Sequence, residues 1–239
     1  MPEPEVDFRL DACDAEDAVC RDFYDQVAVR EDMLLPLAEH HTAGDEHSYY
    51  VLFDGTPTYD HPGVPQYLAV HLHRDPAKST FDFDQAALPL PAMAQSWLVH
   101  RGCPLDAIGL NPDLGPPPAD EATRALERRL AGDGDHYAMG YSYTCDDRDD
   151  MVIVVALRAL DERAPVPFRV VVEEVDTEAW TRTLREGGFA TVHEALKWCE
   201  DRLDGTAGLL PPVRPAAVQA RAAHPPAAAP APRLSGRPR

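Results

Sequence analysis

Three stretches decide how this chain folds: HYAMGYSYT at 136–144, MVIVVALRAL at 151–160 and PFRVVVEEV at 167–175. Each is short, rich in β-branched or aromatic residues and flanked by turn-forming residues, the pattern of a strand. The acidic connections at 146–150 and 161–165 are too short for crossover helices, so the neighbours are expected to run antiparallel. Every residue from Met151 to Leu157 is apolar, which suits a central strand covered on both faces. Phe168, Val170 and Val172 alternate with Arg169, as in a strand with one wetter side. Tyr137, Met139, Tyr141 and Tyr143 share one face under strict period two, and that face is expected to pack into the core.

Two helices are expected after this meander. Thr177 opens the first, and Gly187-Gly188 stops it. Thr191 and Glu194 have the spacing of a capping box that starts the second. Val192, Leu196, Cys199 and Leu203 then recur at steps of four, three and four, a stripe read as core-facing, and Gly205 closes the helix. A meander at about 136–175 packed by helices predicts an α+β fold.

Upstream the pattern is similar. Residues 14–43 read as a helix with Val19, Phe23 and Val27 on one face, kinked or ended by Pro36. Strands are expected at 48–53 and 66–74, with a short edge strand at Phe81 and Phe83. A helix with Pro91 in its first turn exits at Gly102, and Asp120 caps another that ends at Gly132. Residues 103–118 hold five prolines and read as a linker. The expected organisation is therefore an α+β half at 1–118, a meander with helices at 119–210, and a tail at 211–239. A coarse echo between the halves, in which tyrosine-rich strands precede a Trp-containing helix, points to two similar halves, although residue identity is too poor to establish a duplication.

All 41 acidic residues lie before residue 211, while the tail carries five Arg, eight Pro and nine Ala. The body thus holds 17 basic residues against 41 acidic ones, a formal charge of −24, and the tail holds +5. A surface of that sign repels phosphates, so direct nucleic-acid binding by the body is not expected. The tail has too little apolar surface to order itself and reads as a PPII-like spacer or recognition segment. The N-terminus Met-Pro-Glu-Pro-Glu has no basic region of a secretory signal, and the apolar run at 151–157 is too short to cross a bilayer. Five cysteines form no CxxC pair. Together these predict a cytoplasmic protein with reduced thiols and no membrane partner.

The sharpest chemical motif is His71-Leu72-His73. Period two on a strand sends both imidazoles to one face, about 7 Å apart, where two ligands of one metal can sit. A catalytic zinc site needs a third ligand, which the sequence does not identify; Asp60 and His61 precede the motif, and His40, His41 and His47 lie earlier. Partly exposed strand histidines are the competing reading. Asp133 and Asp135, like the run at 146–150, crowd carboxylates into turns, but lack the downstream Glu of an EF-hand. No P-loop, GxSxG or HExxH motif occurs. Cys145 adjoins carboxylates and Cys199 lies on the expected core stripe, and neither setting favours a thiolate. These features favour a non-catalytic, acidic interaction or regulatory protein that docks a basic protein partner, with imitation of nucleic-acid charge as one form of it. A small metal-dependent hydrolase using His71 and His73 is the alternative, with cofactors unspecified, and a homo-oligomer is compatible with either.

Overall fold

Strands β1 (Leu34–His41), β2 (His47–Asp54), β3 (Tyr67–Asp75) and β4 (Thr80–Leu88) form one antiparallel sheet in the order β1-β2-β3-β4. Strands β5 (Tyr137–Asp147), β6 (Asp150–Ala159), β7 (Phe168–Asp176) and β8 (Thr181–Phe189) form a second with the same order. Helix α1 (Asp17–Gln26) precedes the first sheet and α2 (Pro91–Val99) follows it; α3 (Glu121–Leu130) and α4 (Val192–Leu203) do the same for the second. The chain is thus an α+β protein of two similar αββββα halves. This computed structural model describes residues 6–11, 13–57, 63–132, 136–147, 150–162 and 164–213. Asp60, His61, Asp133, Asp135, part of the 146–150 turn and residues 214–239 of the tail lie outside the described residues.

The likeness of the halves extends to register. Tyr67 pairs with Leu88 and Asp75 with Thr80; 101 positions later, Phe168 pairs with Phe189 and Asp176 with Thr181. Both hairpins turn by the same device. Asp75 Oδ1 accepts the N–H groups of Ala77 and Lys78, and Asp176 Oδ1 accepts those of Glu178 and Ala179. The fourth residue after each aspartate is left-handed: Ser79 at φ 56° and Trp180 at φ 50°. A register shift lies between Pro36 and Ala38 in β1 and recurs between Met139 and Tyr141 in β5.

Each sheet is covered on both faces. Leu52, Leu68, Val70 and Leu72 of the first sheet pack against Phe23 and Val27 and the N-terminal Val6 and Phe8. Arg74, buried, ties that N-terminal segment down by donating to the Phe8 carbonyl at 2.5 Å and to Ser48 Oγ at 2.7 Å. On the other face Val51 and Ala69 meet Ala94 and Leu98 of α2. In the second sheet Ile153, Val155, Val171 and Leu184 meet Leu126 and Leu130 of α3, together with Leu90 and Ala92 from the start of α2. Val154, Val170 and Val172 meet Ala195 and Cys199 of α4. Asp120 accepts from the Thr123 N–H at 2.8 Å and from Arg185 at 2.5 Å. These bonds start α3 and fasten it to β8, and they hold the Asp120 carboxyl down at about 2. The capping box of Thr191 and Glu194 is formed.

Several expectations need correction. The helix read over 14–43 stops at Gln26; a 3-10 turn follows (Ala28–Met33), and the remainder is β1. Pro36 is tolerated because β1 is an edge strand and the proline sits at its irregularity. The helix expected from Thr177 is β8. Gly187 and Gly188 do not stop a helix; they let the segment at 210–213 lie against the strand. A Cβ on Gly187 would stand 2.8 Å from Leu210 Cδ2, and one on Gly188 would stand 2.9 Å from Val166 Cγ1.

The tyrosine stripe also divides. The shift at Gly140 reverses the alternation, so Tyr137 packs on the α3 side and Tyr141 on the α4 side. The side of β7 read as wetter is buried: Arg169 is only 2 % exposed and lies over the Tyr137 ring, its Nη1 3.5 Å from Glu186. In α4 the inward residues are Ala195 and Cys199, whereas Val192, Leu196 and Leu203 are exposed.

Candidate functional site

Period two operates on β3 as expected, and His71 and His73 share a face. Across β2 they oppose Tyr49 and His47; across β4 they oppose Asp84 and Asp82. The rings stack nearly parallel, with centroids 4.6 Å apart for Tyr49–His71 and 4.8 Å for His47–His73. His47 Nδ1 and His71 Nε2 lie 3.0 Å apart and share one hydrogen bond, one ring donating to the other. Burial, and then the neighbouring His47, push His71 down to about 4. Its ring is therefore neutral at pH 7. His40 stacks on Tyr49 at 6.1 Å. His41 turns to the opposite face, where its Nδ1 meets Ser48 Oγ at 2.7 Å. Among the described residues no group of three or more His, Cys, Asp or Glu side chains is placed to hold a metal ion. In the core, burial pushes the Cys199 thiol up to about 12 and the Cys103 thiol up to about 11, which disfavours the thiolate of each.

A second surface lies at the edge of the first sheet. Strand β4 has a strand neighbour on one side only. Between it and α1 runs a groove of about 300 Å³ lined by Asp22, Asp82 and Asp84 with Gln26 and Gln85; Phe81 and Phe83 turn to the α1 side, and Asp82 and Asp84 to the side of His71 and His73. The two glutamines bridge helix and strand at 3.2 Å, and Arg101 reaches Asp84 at 3.4 Å. The apolar periodicity of α1 buries Phe23 and leaves its aspartates outward.

An enclosed site lies between the sheets and was not legible in the sequence. Residues 103–118 are laid across the gap. The Asn111 N–H donates to the Leu37 carbonyl at 2.8 Å, and Pro118 forms a parallel bridge with Arg182 of β8. Beneath them are two cavities, of about 250 and 530 Å³, which share Pro91, Leu110, Leu114, Glu173 and Arg182. Glu173 occupies an inward position of β7, with its side chain 8 % exposed and Arg182 Nε 3.7 Å away. Arg182 is engaged elsewhere, donating to Glu127 Oε1 at 2.5 and 2.9 Å and to the Pro116 carbonyl. Among the described residues no side chain donates a hydrogen bond to the Glu173 carboxylate. Burial raises it to about 7 against the pull of Arg182, with a further push from Glu127. Tyr67, also enclosed, has its hydroxyl raised by burial and by the Glu173 charge. One signal in the sequence pointed here: Glu173 follows three valines at an inward alternation position. Its meaning depended on where 103–118 would lie.

Neither protein-family profiles, curated protein sequences nor solved structures yield a match to this chain.

Proposed function

We propose that this chain is a non-catalytic interaction protein that docks a basic protein partner in the acidic groove between α1 and the edge strand β4. The observation that carries the reading is the groove at the free edge of the sheet, lined by Asp22, Asp82 and Asp84, with Arg101 reaching Asp84 at 3.4 Å. Like charges gathered at an edge strand cost stability in the free protein and favour a partner of opposite sign. The formal charge of the whole chain, −19, adds long-range attraction for such a partner. The hydrolase alternative would need a third ligand converging with His71 and His73; His47 stands beside both but is stacked on them, and among the described residues no group of three is placed to hold a metal ion.

The test is salt dependence combined with substitution. A basic partner recovered with the full chain should lose about tenfold or more in affinity between 0.05 and 0.5 M salt, because the pairing charges are exposed and screened. It should also bind Asp22→Asn/Asp82→Asn/Asp84→Asn poorly. Affinity indifferent to salt, or unchanged in the triple variant, would remove this reading.

A further inference from the structure

We propose that the cavity between the two sheets is a binding site for a small aliphatic cation, an alkylammonium or alkylguanidinium ion, with Glu173 as its counter-ion. This site is separate from the acidic groove and does not depend on it.

Charge is the first reason. The smaller cavity is lined by Glu173, by Asp146, which accepts from Gln66 Nε2 at 3.2 Å, and by the Arg182 guanidinium. That guanidinium is already fixed by Glu127 at 2.5 Å and leaves Glu173 at the longer distance of 3.7 Å. A carboxylate held out of water without donors is costly, and a cation with N–H groups supplies both the charge and the donors. Thr144 Oγ1 is a second buried polar atom on this cavity, and it has no hydrogen-bond partner among the described residues.

The walls are the second reason. Leu35, Leu37, Leu114 and Ile153 suit a methylene stem, while Phe53, Tyr67 and Trp180 present aromatic rings, which attract cations lying near their faces. Trp180 takes the left-handed position of its hairpin and is half exposed at the cavity. Its counterpart in the first half, Ser79, holds the same backbone conformation with a small side chain. The hairpin geometry therefore does not call for an indole, and the cavity supplies a reason for one. At about 250 Å³ the space falls below the roughly 300–1,000 Å³ usual for drug-sized ligands, so the occupant is small.

The probe is n-hexylamine, with hexanol as its neutral counterpart, titrated calorimetrically into the full chain. The ammonium stays charged from pH 6 to 8, as a lysine does. Hexylamine should bind one to one and at least about tenfold more tightly than hexanol, since pairing with a buried carboxylate is a charge-assisted bond. Because the occupied site needs Glu173 ionised, affinity should fall about tenfold per pH unit below 7 and level off above it. At pH 6 about one proton should be released per ligand bound, read from buffers of different ionisation enthalpy. Glu173→Gln should abolish the preference for the amine, and the pH and proton readouts on the unaltered protein stand even if that variant folds poorly. Equal binding of hexanol, absence of proton release, unchanged preference in Glu173→Gln, or no binding at all would overturn the proposal. Asp22→Asn/Asp82→Asn/Asp84→Asn should bind hexylamine normally, so this site and the partner groove fail independently.

Discussion

Replacing Glu173 by Gln should make the protein more stable at pH 8 and leave it nearly unchanged near pH 4.5. The folded protein holds the Glu173 proton to about 7, whereas an exposed glutamate releases it near 4.5. Between those values the native state binds more protons than the unfolded one, so this group's contribution to stability falls as pH rises. It levels off above about 7, once both states are ionised. A displacement of that size is worth about 3 kcal/mol in all. Glutamine has nearly the same shape and never ionises, so it escapes the cost while keeping the packing in β7. Urea unfolding of both proteins at pH 5 and pH 8 is the assay, and taking the difference cancels the other titrating groups. The advantage of the variant should grow by about 2–3 kcal/mol between the two pH values. An advantage that does not change with pH, or a variant less stable than the parent at pH 8, would refute the description of Glu173 as an enclosed carboxylate lacking donors.

Four further outcomes follow from the packing. Leu52→Ala, at a fully buried position of β2, should cost about 2–5 kcal/mol in urea unfolding with an unchanged denaturant slope. Thr191→Ala should cost about 1 kcal/mol by removing one side of the α4 capping box, read as a lower midpoint. Gly188→Val should force the 210–213 segment off β8, because even a Cβ lies 2.9 Å from Val166 and 3.2 Å from Val213. Faster amide exchange of residue 188, whose N–H donates to the Pro211 carbonyl at 3.0 Å, would report it. In the native protein His71 stays neutral down to about 4 while the unfolded chain takes up a proton near 6.5. Its contribution is therefore lost as pH falls through that window, and His71→Phe should flatten the loss in acid unfolding.

Three of the four strands of the second sheet were readable in advance because their signals are local. A continuous apolar run, short acidic turns and β-branched residues announced β6 and β7, and the capping box announced α4. The misreadings came where a local signal served a distant purpose. Gly187-Gly188 looked like a helix stop, but the glycines make room for residues 210–213, well over a helix length away in sequence. Leu34–His41 continued the apolar spacing of α1, yet pairing with β2 draws it into the sheet. The tyrosine stripe failed at one extra residue, Gly140, since period two carries no memory across a bulge.

The order of residues by itself determined the α+β class, the antiparallel neighbours of β5, β6 and β7 and the shared face of His71 and His73, because each follows from spacing within one or two elements; the likeness of the halves was settled by the matching strand order and register. Only tertiary structure decided what those elements enclose. Glu173 and Arg182 lie nine positions apart on paired strands, but their cavity exists because the proline-rich stretch at 103–118 crosses between the sheets. The Glu173 proton depends on that enclosure. Desolvation is set by everything that surrounds a group, and no pattern within a single strand records it.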